Sequence, residues 1–195
     1  GDKIYNKMGA KFFPSGNTGV QMGGWFNKKM NSLDDYKGLK MRIPGLGGEV
    51  VKAAGGNVVN LPGGEISPAL QSGALDATEW VGPYNDLAFG LYKSAKYYYF
   101  PGWHEPATVL DNFINIKAWE KLPGDLKSVV TAANAAVNQI VLSEFMARNN
   151  AALQTLVGKH NVNLVKFPNA VLNGLGKLAG EVMSDLASKD ALSRE

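Results

Sequence analysis

Two short stretches hold the side chains best suited to gripping a small polar ligand. In the first, Leu75 to Tyr84, a carboxylate (Glu79) stands beside an indole (Trp80), and Gly82 and Pro83 stop the apolar run that leads up to them. In the second, Pro101-Gly102-Trp103-His104-Glu105-Pro106, another acid follows a run of aromatics. Acids supply oxygen ligands, aromatic rings supply flat walls, and glycine lets backbone come close. A strong cation, Arg42, ends a third apolar run; its planar fork suits a carboxylate, and lysine cannot reproduce that geometry. Val20 to Lys28 reads as an irregular strand whose Gly23-Gly24 allows close backbone approach; Gln21 sits at its start and on residue type alone reads as a solvated amide.

Other chemistries find little support. There is no cysteine, which removes thiol catalysis, disulfides and zinc–thiolate sites. The sequence has no nucleophile elbow, HExxH, P-loop or EF-hand pattern. Gly45-Leu46-Gly47-Gly48-Glu49-Val50 imitates a dinucleotide fingerprint, but its last glycine position falls on Val50. Such glycines are better read as bringing helix N-termini near a small anion. Glu79 and Glu105 could serve as the acid and base of a glycosidase or a metal-assisted hydrolase or lyase; a long groove of exposed aromatics is missing. His104 beside Glu105 could belong to a catalytic pair, although a lone histidine among aromatics is more often a packed or hydrogen-bonding residue. The net charge of +3 comes from dispersed basic residues, so nucleic acid is not an expected partner, and no stretch has 18 uninterrupted apolar residues.

The elements that must hold these residues follow a βαβαβ rhythm. Strands are expected at 39–43, 57–61 and 75–80, with helices at 48–54 and 65–71 between them. This predicts a parallel sheet whose strand ends, at Arg42, Pro62 and Glu79-Trp80, share one rim. Upstream, Ala10 to Phe13 reads as a strand ended by Pro14, and Ser32 caps a single helical turn closed by Gly38. Asn85 to Leu91 reads as helix, and 96–100 and 110–116 as strands. From Pro123 the apolar period becomes 3.6, through Leu126, Val129, Val130, Ala133, Val137, Ile140 and Val141 to Leu156, and Gly158 is the natural stop. That is one helix of roughly 35 residues, about 50 Å long, suited to bracing two bodies. A strand at 162–167 and an amphipathic helix at 170–186 precede a polar end.

Taken together, Gly38 to Ile43, Ala69 to Pro83, Gly16 to Phe26, Pro62 to Ile66 and Tyr97 to Trp103 strongly resemble the solute-binding proteins of tripartite ATP-independent periplasmic (TRAP) transporters. The longer pattern is similar to the branch that binds 2-oxo or 2-hydroxy monocarboxylates. The resemblance implies an α/β, periplasmic-binding-protein-like two-lobe fold closing on its solute, with a long bridging helix. It implies a fragment lacking most of the first lobe: residues 1–78 as second lobe, 79–117 as a crossing segment belonging mainly to the first lobe, and 118–195 as the bridging helix with the remainder of the second. It also implies a periplasmic, non-enzymatic carrier of a small carboxylate (pyruvate, 2-oxobutyrate or lactate class), TRAP permease subunits as partners, and a homodimer as an open expectation.

By the same resemblance, Arg42 looks like the signature arginine that holds the solute carboxylate. Gln21, Glu79 and Trp80 look like the cluster in which a cation, Na⁺ or Ca²⁺, bridges protein oxygens and solute, with Glu105 as a further acid. Asn17, Trp25 and Trp103 are candidates for pocket wall or core, and Gln21, Trp80, Asn17 and Trp103 are counted with Arg42 as solute-binding. His104 departs from the aromatic that relatives often carry. A sensor using the same cleft, and a dicarboxylate or sugar-acid binder that uses no metal, remain the rival readings.

Overall fold

A computed structural model describes residues 1–189 and Ser193; the polar end expected after Leu186 lies largely outside the described residues. Eight strands run in chain order as β1 (Ala10–Asn17), β2 (Gly24–Phe26), β3 (Lys40–Arg42), β4 (Asn57–Val59), β5 (Ala77–Thr78), β6 (Tyr97–Phe100), β7 (Val109–Asn115) and β8 (Asn163–Lys166). The α-helices are α1 (Asp2–Tyr5), α2 (Gly45–Ala53), α3 (Gly63–Ser72), α4 (Pro83–Phe89), α5 (Ile116–Lys121), α6 (Gly124–Gly158) and α7 (Asn169–Lys189).

The chain forms two compact units. Unit 1 comprises Gly1–Val20 and Ala107–Asn149; unit 2 comprises Gln21–Pro106 and the chain from Asn150 on. This division differs from one drawn at residue 78. Residues 79–106 stay with 21–78 because β6 pairs with β2 on one side and β8 on the other. The helix expected from Pro123 is present at full length, 35 residues, with residues 124–149 in unit 1 and the rest in unit 2.

Unit 1 is built on an antiparallel β1–β7 ribbon. Pro14 does not end β1. The register shifts between Pro14 and Gly16 and the strand continues to Asn17. With a single neighbouring strand, β1 tolerates a residue that cannot donate. Helix α5 was not apparent in the sequence; Asn115 caps it, its side-chain oxygen accepting from the N–H of Lys117 at 3.0 Å and of Ala118 at 3.3 Å. The 3.6-residue repeat of α6 gives no buried face where Val129, Val137 and Ile140 lie, all of them exposed, whereas Leu156 near its end is buried.

Unit 2 holds a six-stranded sheet in the order β4-β3-β5-β2-β6-β8. The βαβαβ portion is parallel, as the rhythm requires: β3 pairs in parallel with both β4 and β5. The whole sheet is mixed, because β2 inserts antiparallel between β5 and β6. Helix α4 starts two residues earlier than the sequence suggests, with Gly82 as its N-cap and Pro83 at the first helical position.

Adjacent residues of a strand face opposite sides of a sheet, and β2 and β6 turn this into two cores. Phe26 and Tyr99 join Met30, Leu39, Met41, Val51, Phe167 and Val171 on one face. Trp25 and Tyr98 join Ile66, Leu70, Leu75, Leu91 and Leu156 on the other. The register sets Trp25 opposite Tyr98, and their rings stack at 3.9 Å and 15°. Each large aromatic fully buried is worth roughly 2–3 kcal/mol, so this central pair of strands anchors both cores.

Two glycines make the insertion of β2 sterically feasible. Gly24 has φ +115°, and a Cβ there would lie 2.6 Å from the Thr78 carbonyl oxygen; at Gly23 it would lie 2.4 Å from the Phe167 ring. Gly24→Ala is therefore expected to cost at least about 2 kcal/mol in urea unfolding. Gly64→Ala, in α3 with open space around its Cβ position, should instead be neutral or stabilising by up to about 1 kcal/mol. Equal effects of the two would refute the close-approach explanation.

Candidate functional site

The site is assembled at one rim of the unit 2 sheet. Strand β3 ends on Arg42 and β5 ends just before Glu79, and the Glu79 N–H donates to the Arg42 carbonyl at 3.1 Å. The two side chains therefore leave adjacent strand ends together. Arg42 Nη1 donates to Glu79 Oε1 at 2.5 Å and to the Glu79 main-chain oxygen at 3.1 Å, and its Nε donates to the Leu61 carbonyl at 3.3 Å. Thr78 Oγ1 also donates to the Glu79 carbonyl, at 3.0 Å. Burial pushes the Arg42 pKa down, while the charges of Glu79 and Glu105 hold it up. Arg42 is 8% exposed and Glu79 2%, so neither charge is tolerable without the other.

The second carboxylate oxygen of Glu79 faces His104, whose Nε2 lies 3.1 Å from Oε2. His104 is itself buried, its Cβ at 3.0 Å from the position a Cβ would take at Gly47 in α2. Glu79 thus sits between a guanidinium and an imidazole. His104 is both packed and hydrogen-bonding, and its partner is the central acid.

Glu79, His104 and Glu105 each present a ligand atom, and these atoms lie within 4.8 Å of one another. Two of the three are carboxylate oxygens, the ligands that suit a hard cation bound at about 2.3–2.6 Å, and the third is an imidazole nitrogen. Gln21 is buried on the same side of unit 2. Its N–H donates to the Pro106 carbonyl at 3.2 Å, its own carbonyl lies 2.6 Å from where a Cβ on Gly102 would stand, and the next residue, Met22, donates to the Val81 carbonyl at 3.1 Å. Gln21 is therefore tied to both the Glu79–Val81 and the Gly102–Pro106 segments. With Gln21, Glu79, Glu105 and the Trp80 carbonyl, the local chemistry fits a cation bound by oxygens.

Trp80 forms the wall of an open cleft of about 350 Å³ lined by Arg42, Asn60, Leu61, Pro62, Gly63 and itself. The Arg42 guanidinium carbon stands 5.1 Å from the indole ring centroid. Behind the indole, Phe89 packs at 4.8 Å, and a Cβ on Gly63 would meet both rings at 2.9 Å. Three further candidates have other neighbours. Trp103 packs against the first core and, with His104, lines a crevice of about 150 Å³ together with Leu46, Val50, Ala179 and Val182. Asn17 belongs to unit 1, where its side-chain oxygen accepts the Gly19 N–H at 2.8 Å. Trp25 is wholly buried in the second core.

One polar residue was not foreseen. Asp86, in α4, is buried; its Oδ2 accepts from Trp25 Nε1 at 2.9 Å and Tyr98 Oη at 2.6 Å, and its Oδ1 accepts the Val81 N–H at 3.3 Å. In sequence it is merely an acid in the first turn of a helix, which needs no tertiary partner. Burial pushes its pKa up to about 6 despite these donors, with a further push from the charge of Glu79.

Residues 1–190 match the family described as bacterial extracellular solute-binding protein, family 7 (DctP). The chain belongs to this family. It is 45% identical over 193 residues to a monocarboxylate 2-oxoacid-binding periplasmic protein of Nostoc sp., covering 99% of this chain and 53% of that protein. A TRAP periplasmic solute-binding protein from Colwellia psychrerythraea, solved with bound calcium and pyruvate, superposes with a TM-score of 0.95 at 43% identity. One from Pseudoalteromonas atlantica, solved with bound sodium and pyruvate, gives 0.94 at 41%. In each case 99% of this chain and 59% of the solved chain is covered. The chain thus spans between half and three-fifths of the length of these relatives. The α/β, periplasmic-binding-protein-like fold that the resemblance implied is the fold these relatives share with this chain.

Two consequences can be measured. Glu79→Gln removes the counter-charge of a buried guanidinium and should cost on the order of 2–3 kcal/mol of stability. Glu49→Gln, which breaks only the exposed Glu49–Lys52 pair at 2.8 Å, should stay within about 0.5 kcal/mol in the same denaturant titration. For Asp86, the folded pKa of about 6 lies above the ordinary carboxyl value of 3.8, so the folded state holds the proton more tightly. Its contribution is fully present below pH 3.8 and is lost as pH rises towards about 6. The stability difference between the native protein and Asp86→Asn should therefore drift by up to roughly 3 kcal/mol across that window and level off above it. A flat difference would show that Asp86 is already ionised throughout.

Proposed function

We propose that the protein carrying this chain is the extracytoplasmic, periplasmic solute-binding component of a TRAP transporter. It captures a small 2-oxo or 2-hydroxy carboxylate together with Na⁺ or Ca²⁺ and hands it to membrane permease subunits without chemical turnover. The observation that carries this reading is the buried Arg42–Glu79 pair at the strand rim, with His104 on its far oxygen and the Trp80 cleft beside it. The relatives solved with pyruvate and calcium or sodium support the choice of ligand and ion.

In this reading Arg42 holds the solute carboxylate. Its Nε and Nη1 already bond to Leu61 and Glu79, so Nη2 is the edge offered to a ligand. A bidentate grip must displace one of those protein acceptors. The cation, when bound, bridges protein oxygens and solute; Gln21, Glu79, the Trp80 carbonyl and Glu105 would hold it. Trp80 excludes water from one side, which strengthens each charged contact. The oxygen chemistry requires both parts: an arginine alone satisfies the carboxylate and leaves the neighbouring 2-oxygen without a partner.

Calorimetry on the intact protein with pyruvate, 2-oxobutyrate and lactate, in Na⁺, in Ca²⁺ and in choline with chelator, tests this directly. Binding is expected with one ion and lost in choline. Arg42→Lys should weaken it at least tenfold, the scale of one charge-assisted hydrogen bond. Binding indifferent to the ion would point to a dicarboxylate or sugar-acid cleft built on Arg42 alone, and product in the cell would point to hydrolase or lyase chemistry on Glu79 and Glu105.

A further inference from the structure

The Trp80–Val81 peptide links the proposed cation site to the sheet. Its carbonyl, from Trp80, is one of the proposed cation ligands. Its N–H, from Val81, donates to Asp86 Oδ1 at 3.3 Å. Among the described residues the one cis peptide is Phe100–Pro101, so this bond is trans, and in a planar trans peptide the C=O and N–H point in opposite directions. Whatever holds the N–H therefore sets the direction of the carbonyl.

We infer that Asp86 is a positioning residue for the cation site, aiming the Trp80 main-chain carbonyl by holding the N–H on the other side of the same peptide. Asp86 is suited to the task because it is itself held firmly. Its second oxygen takes Trp25 Nε1 at 2.9 Å and Tyr98 Oη at 2.6 Å, two rings stacked at 3.9 Å on neighbouring strands β2 and β6. Trp25 also stands opposite Thr78, the residue before Glu79. The direction of the Trp80 carbonyl is thus referred to β2 and β6 and, through β2, to β5, the strand that ends just before Glu79. Val81 is held at its other end as well, its carbonyl accepting the Met22 N–H at 3.1 Å next to Gln21. All of these bonds run between protein groups, so the direction of the carbonyl does not depend on the ion for a partner. A preset ligand avoids the cost of ordering that peptide on binding, and the effect falls on the cation more than on the solute.

The inference rests on the cation reading proposed above, and its test separates the two. In the intact protein, Ca²⁺ and Na⁺ are titrated at fixed pyruvate, and pyruvate at saturating cation, for the native protein, Asp86→Asn and Tyr98→Phe. In Asp86→Asn the amide oxygen is drawn to the two side-chain donors and its NH₂ faces the Val81 N–H, which loses its acceptor. Cation affinity should fall at least tenfold, with pyruvate affinity at saturating cation kept within about threefold. Tyr98→Phe removes a donor from the far oxygen only; it should lower the unfolding temperature and leave cation affinity within twofold. Equal cation affinity in Asp86→Asn, or losses in both variants that merely follow their loss of stability, would overturn the inference. Native protein that binds pyruvate without any cation would remove the cation reading itself. Should Asp86→Asn not fold, amide exchange of Val81 in the ion-free native protein decides: slow exchange supports an aimed peptide, and exchange at the rate of an open loop overturns it.

Discussion

A guanidinium taken out of water organises this rim of the molecule. Arg42 cannot lose its proton and is nearly buried, so the fold must surround it with oxygens. It does so from three directions: the Leu61 carbonyl after β4, the Glu79 carbonyl, and the Glu79 carboxylate after β5. The parallel pairing of β3 with both β4 and β5 brings those ends together. Glu79, buried in turn, depends on Arg42 for one oxygen and on His104 for the other. A site built this way is costly to assemble and hard to distort, which suits a protein that must hold a small charged ligand in one geometry.

The second constraint is close packing of backbone on backbone. The loop that carries Gln21 to Gly24 runs against Thr78, Gly102 and Pro101 at distances only glycine permits. That contact joins the segment carrying Gln21 to the segments carrying Glu79 and Glu105. The aromatic residues of β2 and β6 then fasten the arrangement to two cores at once, Trp25 and Tyr98 on one face, Phe26 and Tyr99 on the other. Asp86 joins the first of these pairs to the Trp80–Val81 peptide. Site and core are therefore mechanically continuous.

Much of this was legible from local signals. The βαβαβ rhythm placed Arg42 and Glu79 at neighbouring strand ends, because apolar runs bounded by glycine and proline are short-range features. The 35-residue helix followed from its period and its Gly158 stop, and the Ser32 cap from its residue types; the capping box is present, with Asp35 reaching back. The family resemblance carried by Arg42, Glu79, Trp80 and the glycine clusters agrees with membership of family 7. What escaped was non-local. The irregular strand expected within Val20 to Lys28 is present as Gly24 to Phe26, but its antiparallel place between β5 and β6 left no local sign. Pro14 continues β1 because only one strand neighbours it. Asp86 looked like an ordinary helix acid, and the exposed Val129, Val137 and Ile140 looked like a core face.

By itself, then, the order of residues determined the elements, the family and the residue types at the strand rim, since propensity, period and turn chemistry act over a few positions. Only the tertiary structure decided which partner each polar group received. Glu79 is shared between Arg42 and His104, Trp103 turns to a different crevice, and a buried aspartate holds the peptide beside the site. A buried charge or N–H must be satisfied by whatever group the folded chain brings within about 3 Å, and that group's distance along the sequence leaves no local trace.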